Sequence, residues 1–151
     1  MFRRPLLAAT LAAATLTLAA CQDSTPKTSL GGVPFGNYVL VGMDGAAVPL
    51  RNVTLNVQEK RLSGQGPCNG YTTPNSAELP ALALAPLTTT YVACDKATFE
   101  QRFFHVMQTA TEVEYYGGVL KVKAPSTWLI FERGTTDTSG VNALEAARGQ
   151  Q

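Results

Sequence analysis

Between residues 53 and 58 the chain alternates strictly: Val53, Leu55 and Val57 are apolar, and Thr54, Asn56 and Gln58 are polar. A period of two puts one set on each face of a pleated ribbon, which predicts a half-buried strand. Glu59-Lys60 then makes a hairpin tip, and residues 61–65 return as a strand, with a bulge or an early end at Gly64. Upstream, residues 37–43 predict an opening strand that stops at the turn signal Asp44-Gly45. Residues 66–78 hold Gly66, Pro67, Asn69, Gly70, Pro74, Asn75 and Ser76, a composition that predicts a loop. Residues 79–87 are apolar, but Pro80 and Pro86 confine them to an edge or irregular strand.

The period then changes. Over residues 96–110, Phe99, Phe103, Val106, Met107 and Ala110 fall on one side of a helix, with Asp95 as its N-cap. Alternation resumes in residues 112–116 and 119–123, joined by Gly117-Gly118, a link suited to a tight hairpin turn. After a turn at 124–127, residues 128–132 form the last strand. These faces are buried most simply by an α+β fold: a small curved antiparallel sheet, a partly open barrel, with one amphipathic helix packed on it.

The ends read differently. Arg3 and Arg4 precede an apolar run from Pro5 to Leu18, and Leu18-Ala19-Ala20 leads into Cys21. That is the plan of an export signal over residues 1–20, its apolar run being too short to span a bilayer. The Leu-Ala-Ala-Cys ending resembles the bacterial lipobox, which implies that Cys21 is lipidated and becomes the mature N-terminus. Residues 21–34, rich in Ser, Thr, Pro and Gly, read as a flexible tether, residues 35–133 as the domain, and residues 134–151 as a disordered tail. The expected location is the cell envelope, lipid-anchored on the outer side of the cytoplasmic membrane or in the outer membrane.

Removing the leader takes Arg3 and Arg4 from 12 basic residues and leaves 10 against 11 acidic ones, a net charge of about −1. Without a basic stripe, nucleic acid is not an expected partner. With no polybasic run after Cys21, membrane attachment rests on the lipid. Of the 3 cysteines, export and lipidation of Cys21 leave Cys68 and Cys94 in an oxidising compartment, where two thiols can pair. There is no Cys-x-x-Cys pattern and a single histidine, so neither a metal site nor a cofactor is expected.

The segments around these cysteines carry a family resemblance. Tyr38-Val39-Leu40-Val41-Gly42-Met43-Asp44-Gly45, then Ser63-Gly64 leading to Cys68-Asn69-Gly70-Tyr71, then Thr90 before Val92-Ala93-Cys94, a helix with Glu100, and the closing Leu120-Lys121-Val122 and Leu129-Ile130-Phe131 resemble the META, or HslJ-like, domain of bacterial lipoproteins. The resemblance spans residues 37–133. It departs from the family at Tyr38, where Trp is frequent, and at Pro67, where a small or polar residue is common. It implies a small α+β domain associated with envelope stress, and no common enzyme activity.

Candidate chemistry is sparse. Asn69 has two readings: a loop clamp bonding nearby backbone before Gly70, or a ligand contact. Tyr71 shares that choice, and Tyr91, Tyr115 and Tyr116 are candidates for a binding surface or for packing. His105 falls off the apolar stripe and is expected in solvent; a cysteine–histidine enzyme would also need a free thiolate, which a disulfide removes. Asp95 and Glu100 are explained as carboxylates at the positive end of a helix. The expectation is therefore a non-enzymatic envelope lipoprotein that binds or stabilises an envelope component under stress. The alternative is a carrier holding a small apolar or acyl ligand between helix and sheet; a secreted hydrolase is a third, less favoured class.

Cys21→Ser is expected to release the protein from membranes or to block its processing. Intact-mass analysis of the mature protein checks this. An unmodified Cys21, or a mature start at another residue, contradicts it.

Overall fold

The computed structural model describes residues 27–134. The leader, Cys21, the start of the tether and the tail from residue 135 lie outside the described residues. Within them are nine strands and one helix: β1 Gly36–Met43, β2 Ala46–Ala47, β3 Thr54–Gln58, β4 Arg61–Gln65, β5 Gly70–Pro74, β6 Thr88–Thr89, α1 Ala97–Gln108, β7 Glu112–Tyr116, β8 Val119–Ala124 and β9 Thr127–Arg133. The strands form one antiparallel sheet ordered β6-β5-β4-β3-β1-β9-β8-β7, with β2 paired to β1. The sheet does not close. α1 packs on its concave side, so the α+β architecture with a curved, open sheet is the observed one.

The alternation explains this packing. Leu40, Val53, Leu55, Val57, Leu120, Val122, Leu129 and Phe131 all point inward, and Phe103, Val106 and Met107 meet them from α1. Burial of each such side chain is worth roughly 1.5–3 kcal/mol. A register shift between Leu40 and Gly42 opposite β9 is a bulge, which bends the sheet around the helix. Asp44 takes the left-handed turn position (φ 53°) beside Gly45 and accepts both Arg102 Nε (2.8 Å) and Arg102 Nη2 (2.9 Å) from α1. The Asp44 carboxyl, which also accepts the Thr127 hydroxyl, is held below its ordinary pKa by these two partners.

The gap between the two edges of the sheet is bridged by irregular chain. The Leu82 amide donates to the Thr111 carbonyl (2.8 Å), and the Val113 amide to the Pro80 carbonyl (2.8 Å). Leu79 and Leu82 are buried beneath. The prolines thus occupy non-central positions, as their missing amide requires.

Four local expectations are corrected. Residues 66–78 are not all loop, because Gly70–Pro74 pairs with β4 and buries Tyr71 and Thr73. Gly64 neither bulges nor ends β4, since it pairs with Tyr71 in register. Its glycine identity has another cause: a Cβ there would overlap the Thr54 carbonyl and lie 2.9 Å from the Tyr71 hydroxyl. Residues 27–34 pack on the domain instead of hanging free, with Val33 only 1% exposed and the Tyr38 hydroxyl donating to the Pro34 carbonyl (2.7 Å). Finally, α1 starts at Ala97 with Lys96 at the cap position and no side-chain cap bond, while Asp95 pairs with the Lys96 ammonium (2.6 Å).

Candidate functional site

The chain's chemistry gathers where the turn before β5 meets the start of α1. Cys68 and Cys94 are joined by a disulfide, their Cα atoms 6.2 Å apart. This separation lies within the range a bridge requires. Gly66 closes the turn by donating its amide to the Asn69 carbonyl (2.7 Å), which directs the next two amides toward α1.

Glu100 meets those amides. Its Oε2 accepts from the backbone amides of Cys68 (2.9 Å) and Asn69 (2.7 Å), and its Oε1 accepts from Asn69 Nδ2 (2.6 Å). The residue is 6% exposed. A buried carboxyl group is costly unless its oxygens are satisfied, and three donors satisfy this one. The fit requires glycine at 66, where a Cβ would stand 2.8 Å from Glu100 Oε2 and 3.1 Å from the Phe104 ring. Glu100 is therefore the site residue whose role the sequence misassigned. A helix-start position accounted for it locally, yet Phe103 and Phe104 bracket it on the helix wheel, a signal that it shares their buried side.

Asn69 is a clamp, but across the fold instead of within its own turn. Its Nδ2 also donates to the Val92 carbonyl (3.1 Å), and its Oδ1 accepts from the Val92 amide (2.6 Å) and the Thr90 hydroxyl (3.1 Å). The carboxamide thus pairs with one backbone residue in both directions, as a neighbouring strand would. Asn75 and Gln108 each bridge two alternate backbone residues in a similar way. Asn75 donates to the Ala81 carbonyl (3.3 Å) and accepts from the Ala83 amide (2.8 Å). Gln108, on α1, donates to the Ala85 carbonyl (3.1 Å) and accepts from the Leu87 amide (2.7 Å). Three side-chain amides therefore stand in for strand partners along residues 81–92.

Tyr71 is brought to this corner but is withdrawn from solvent. Its hydroxyl donates to the Thr54 carbonyl (2.8 Å), its ring meets Phe103 and Phe104 edge-on, and burial pushes its pKa well above the ordinary value. Tyr115 packs edge-on to Tyr38. Tyr91 and Tyr116 are exposed, Tyr91 by 97%, with Val92 beside it at 60%. Thr89, Tyr91 and Val92 face Ala97, Gln101 and Phe104 across a surface cleft of about 280 Å³ whose floor is the Asn69–Glu100 clamp. Its lining adds no charged side chain besides Glu100. His105 is exposed on α1, away from this cleft.

The comparisons agree with this frame. The family model described as META domain matches residues 33–135. No curated protein matches the chain. Among solved structures, the NMR structure of a protein from Burkholderia xenovorans aligns with a TM-score of 0.54 at 19% identity, covering 80% of this chain and 99% of the other. At that identity the likeness is one of fold.

With a sequence separation of 26 between the bridged cysteines, the disulfide is expected to contribute about 3–4 kcal/mol in the chain-entropy model. The double variant Cys68→Ser/Cys94→Ser should lower the urea midpoint, with a somewhat steeper transition because the unbridged unfolded chain exposes more surface. An unchanged midpoint, or alkylation of Cys68 or Cys94 in denatured, unreduced protein, contradicts the bridge.

Proposed function

The chain belongs to the META domain family, and on that premise we propose that it is a binding module of the cell envelope, anchored through a lipidated Cys21, that recognises an envelope component under stress and performs no covalent chemistry of its own. One observation carries the binding role: an exposed Tyr91-Val92 pair is mounted on a corner braced by a disulfide and by the Asn69 carboxamide. Disulfide, carboxylate and carboxamide hold the residues on both sides of Tyr91, so little ordering entropy remains to be lost when a partner covers it. Tyrosine suits such a surface because its large rigid ring loses few rotamers.

The proposal puts the partner on the surface. The space between α1 and the sheet is filled by Phe103, Met107, Leu40 and Phe131, all fully buried, so a small apolar or acyl ligand would compete with the core itself. The absence of covalent chemistry is proposed because catalysis needs a nucleophile, a base and a group to orient them. Here Cys68 is tied to Cys94, His105 stands apart in solvent, and Glu100 is spent on three internal donors. A tether to the membrane would raise the effective concentration of a neighbouring partner.

Site-specific photocrosslinking in growing cells tests the proposal. A photoreactive phenylalanine in place of Tyr91 should give a discrete adduct with an envelope component, one in place of Tyr116 should not, and His105→Ala should leave the Tyr91 adduct intact. No adduct at Tyr91 overturns the binding surface. Loss of the adduct in a correctly folded His105→Ala protein moves a catalytic role to the front.

A further inference from the structure

We infer that the cleft beside Tyr91 is a strand-addition site for an extended, uncharged peptide segment, whose main chain pairs with Thr89 and Tyr91 and whose outer side faces Gln101 of α1. This inference rests on the binding role proposed above and names the chemistry of the partner.

Strand alternation sets the direction of the backbone groups. The Thr90 amide donates inward to the Gly70 carbonyl of β5 (3.0 Å), and the Val92 amide donates inward to Asn69. The Leu87 amide points the other way, to Gln108. Successive residues of an extended chain alternate, so Thr89 and Tyr91 direct their amides and carbonyls outward with Leu87. β6 ends the sheet order, so no strand covers that side among the described residues.

The structure itself shows what chemistry covers this edge one step earlier. At Ala85 and Leu87 the outer groups are met by the Gln108 carboxamide, a donor and an acceptor in the geometry of a peptide unit. Gln101 lies seven residues back on the same helix face, about 10 Å along the axis. Three residues of extended chain beyond residue 86 advance by about 10 Å as well, which brings Gln101 level with Thr89. There α1 and the edge are not bridged but separated by the cleft of about 280 Å³. An extended backbone placed between them meets Thr89 and Tyr91 on one side and the Gln101 amide on the other.

Two further features fit a peptide. The edge runs Thr88-Thr89-Thr90-Tyr91-Val92-Ala93, six exposed residues of which the first five are β-prone and none is charged or proline. Folded proteins usually guard such an edge with charges or cover it. The opposite edge is guarded in that way: Glu112 and Glu114 of β7 both pair with Lys123. The strip is also about 20 Å long, too short for a standard interface between two folded domains but the length of a strand-adding peptide. With no charge besides the internally bonded Glu100, the cleft favours uncharged side chains on Phe104 and Val92.

The test is an amide-detected NMR titration of the full chain with a capped Thr-Val-Thr-Val-Thr-Val peptide. A second peptide of the same sequence, N-methylated at alternate residues, keeps the side chains but loses the donors of one edge. The first peptide should shift the Thr89 and Tyr91 amides and the Gln101 side-chain amide. N-methylation should weaken binding by about tenfold or more. Gln101→Ala, at an exposed position that leaves the fold intact, should weaken it severalfold. No response at Thr89 and Tyr91, equal binding of the two peptides, or shifts at these amides that track protein concentration without peptide, which would mean a second copy on the edge, each overturns the inference. Because the titration needs no envelope partner, its failure beside a positive Tyr91 crosslink removes the strand mode alone.

Discussion

A buried carboxyl group governs this structure. Glu100 is carried into the protein by α1, between Phe103 and Phe104, and must find donors there. Several kcal/mol would be lost were it left unpaired. The turn at residues 66–69 supplies two backbone amides and the Asn69 side chain supplies the third donor. The arrangement fixes the helix against the loop that carries Cys68, and it dictates glycine at 66. The remaining face of Asn69 then captures Val92, and the disulfide closes the same pair of loops. One buried charge thus specifies the relative placement of three segments far apart in the chain.

The use of carboxamides as strand substitutes has the same logic. Residues 79–92 contain two prolines and cross the gap where the sheet fails to close, so a continuous ladder is impossible there. Asn69, Asn75 and Gln108 each satisfy one amide and one carbonyl along that path. Where the substitution stops, at Thr89 and Tyr91, the fold leaves a short edge facing a cleft. The exposed surface is a consequence of how the polar backbone is satisfied elsewhere.

Most of the fold was legible in the sequence because its elements carry a period. Alternation at Val53, Leu55 and Val57, the stripe from Phe99 to Ala110 and the Gly117-Gly118 hairpin all survive in the structure. β5 was missed because Tyr71 and Thr73 make too short an alternation between Gly70 and Pro74 to stand out from loop composition. The reach of Asn69 to Val92 was illegible for a different reason: a side-chain amide pairing with backbone 23 residues away leaves no periodic trace. Glu100 was misread because a carboxylate near a helix start already has a sufficient local explanation. Gly64 is decided by the approach of Thr54 and Tyr71 from other strands, which no local pattern encodes.

A double-mutant cycle on Asn69→Ala and Glu100→Gln, read by urea denaturation, tests the central claim most directly. If the buried carboxylate and the carboxamide act as one clamp, each single change should cost about 2–3 kcal/mol, and the double change should cost clearly less than their sum, with a coupling of at least about 1 kcal/mol. Additive losses within about 0.5 kcal/mol, or a Glu100→Gln protein as stable as the parent, would contradict it.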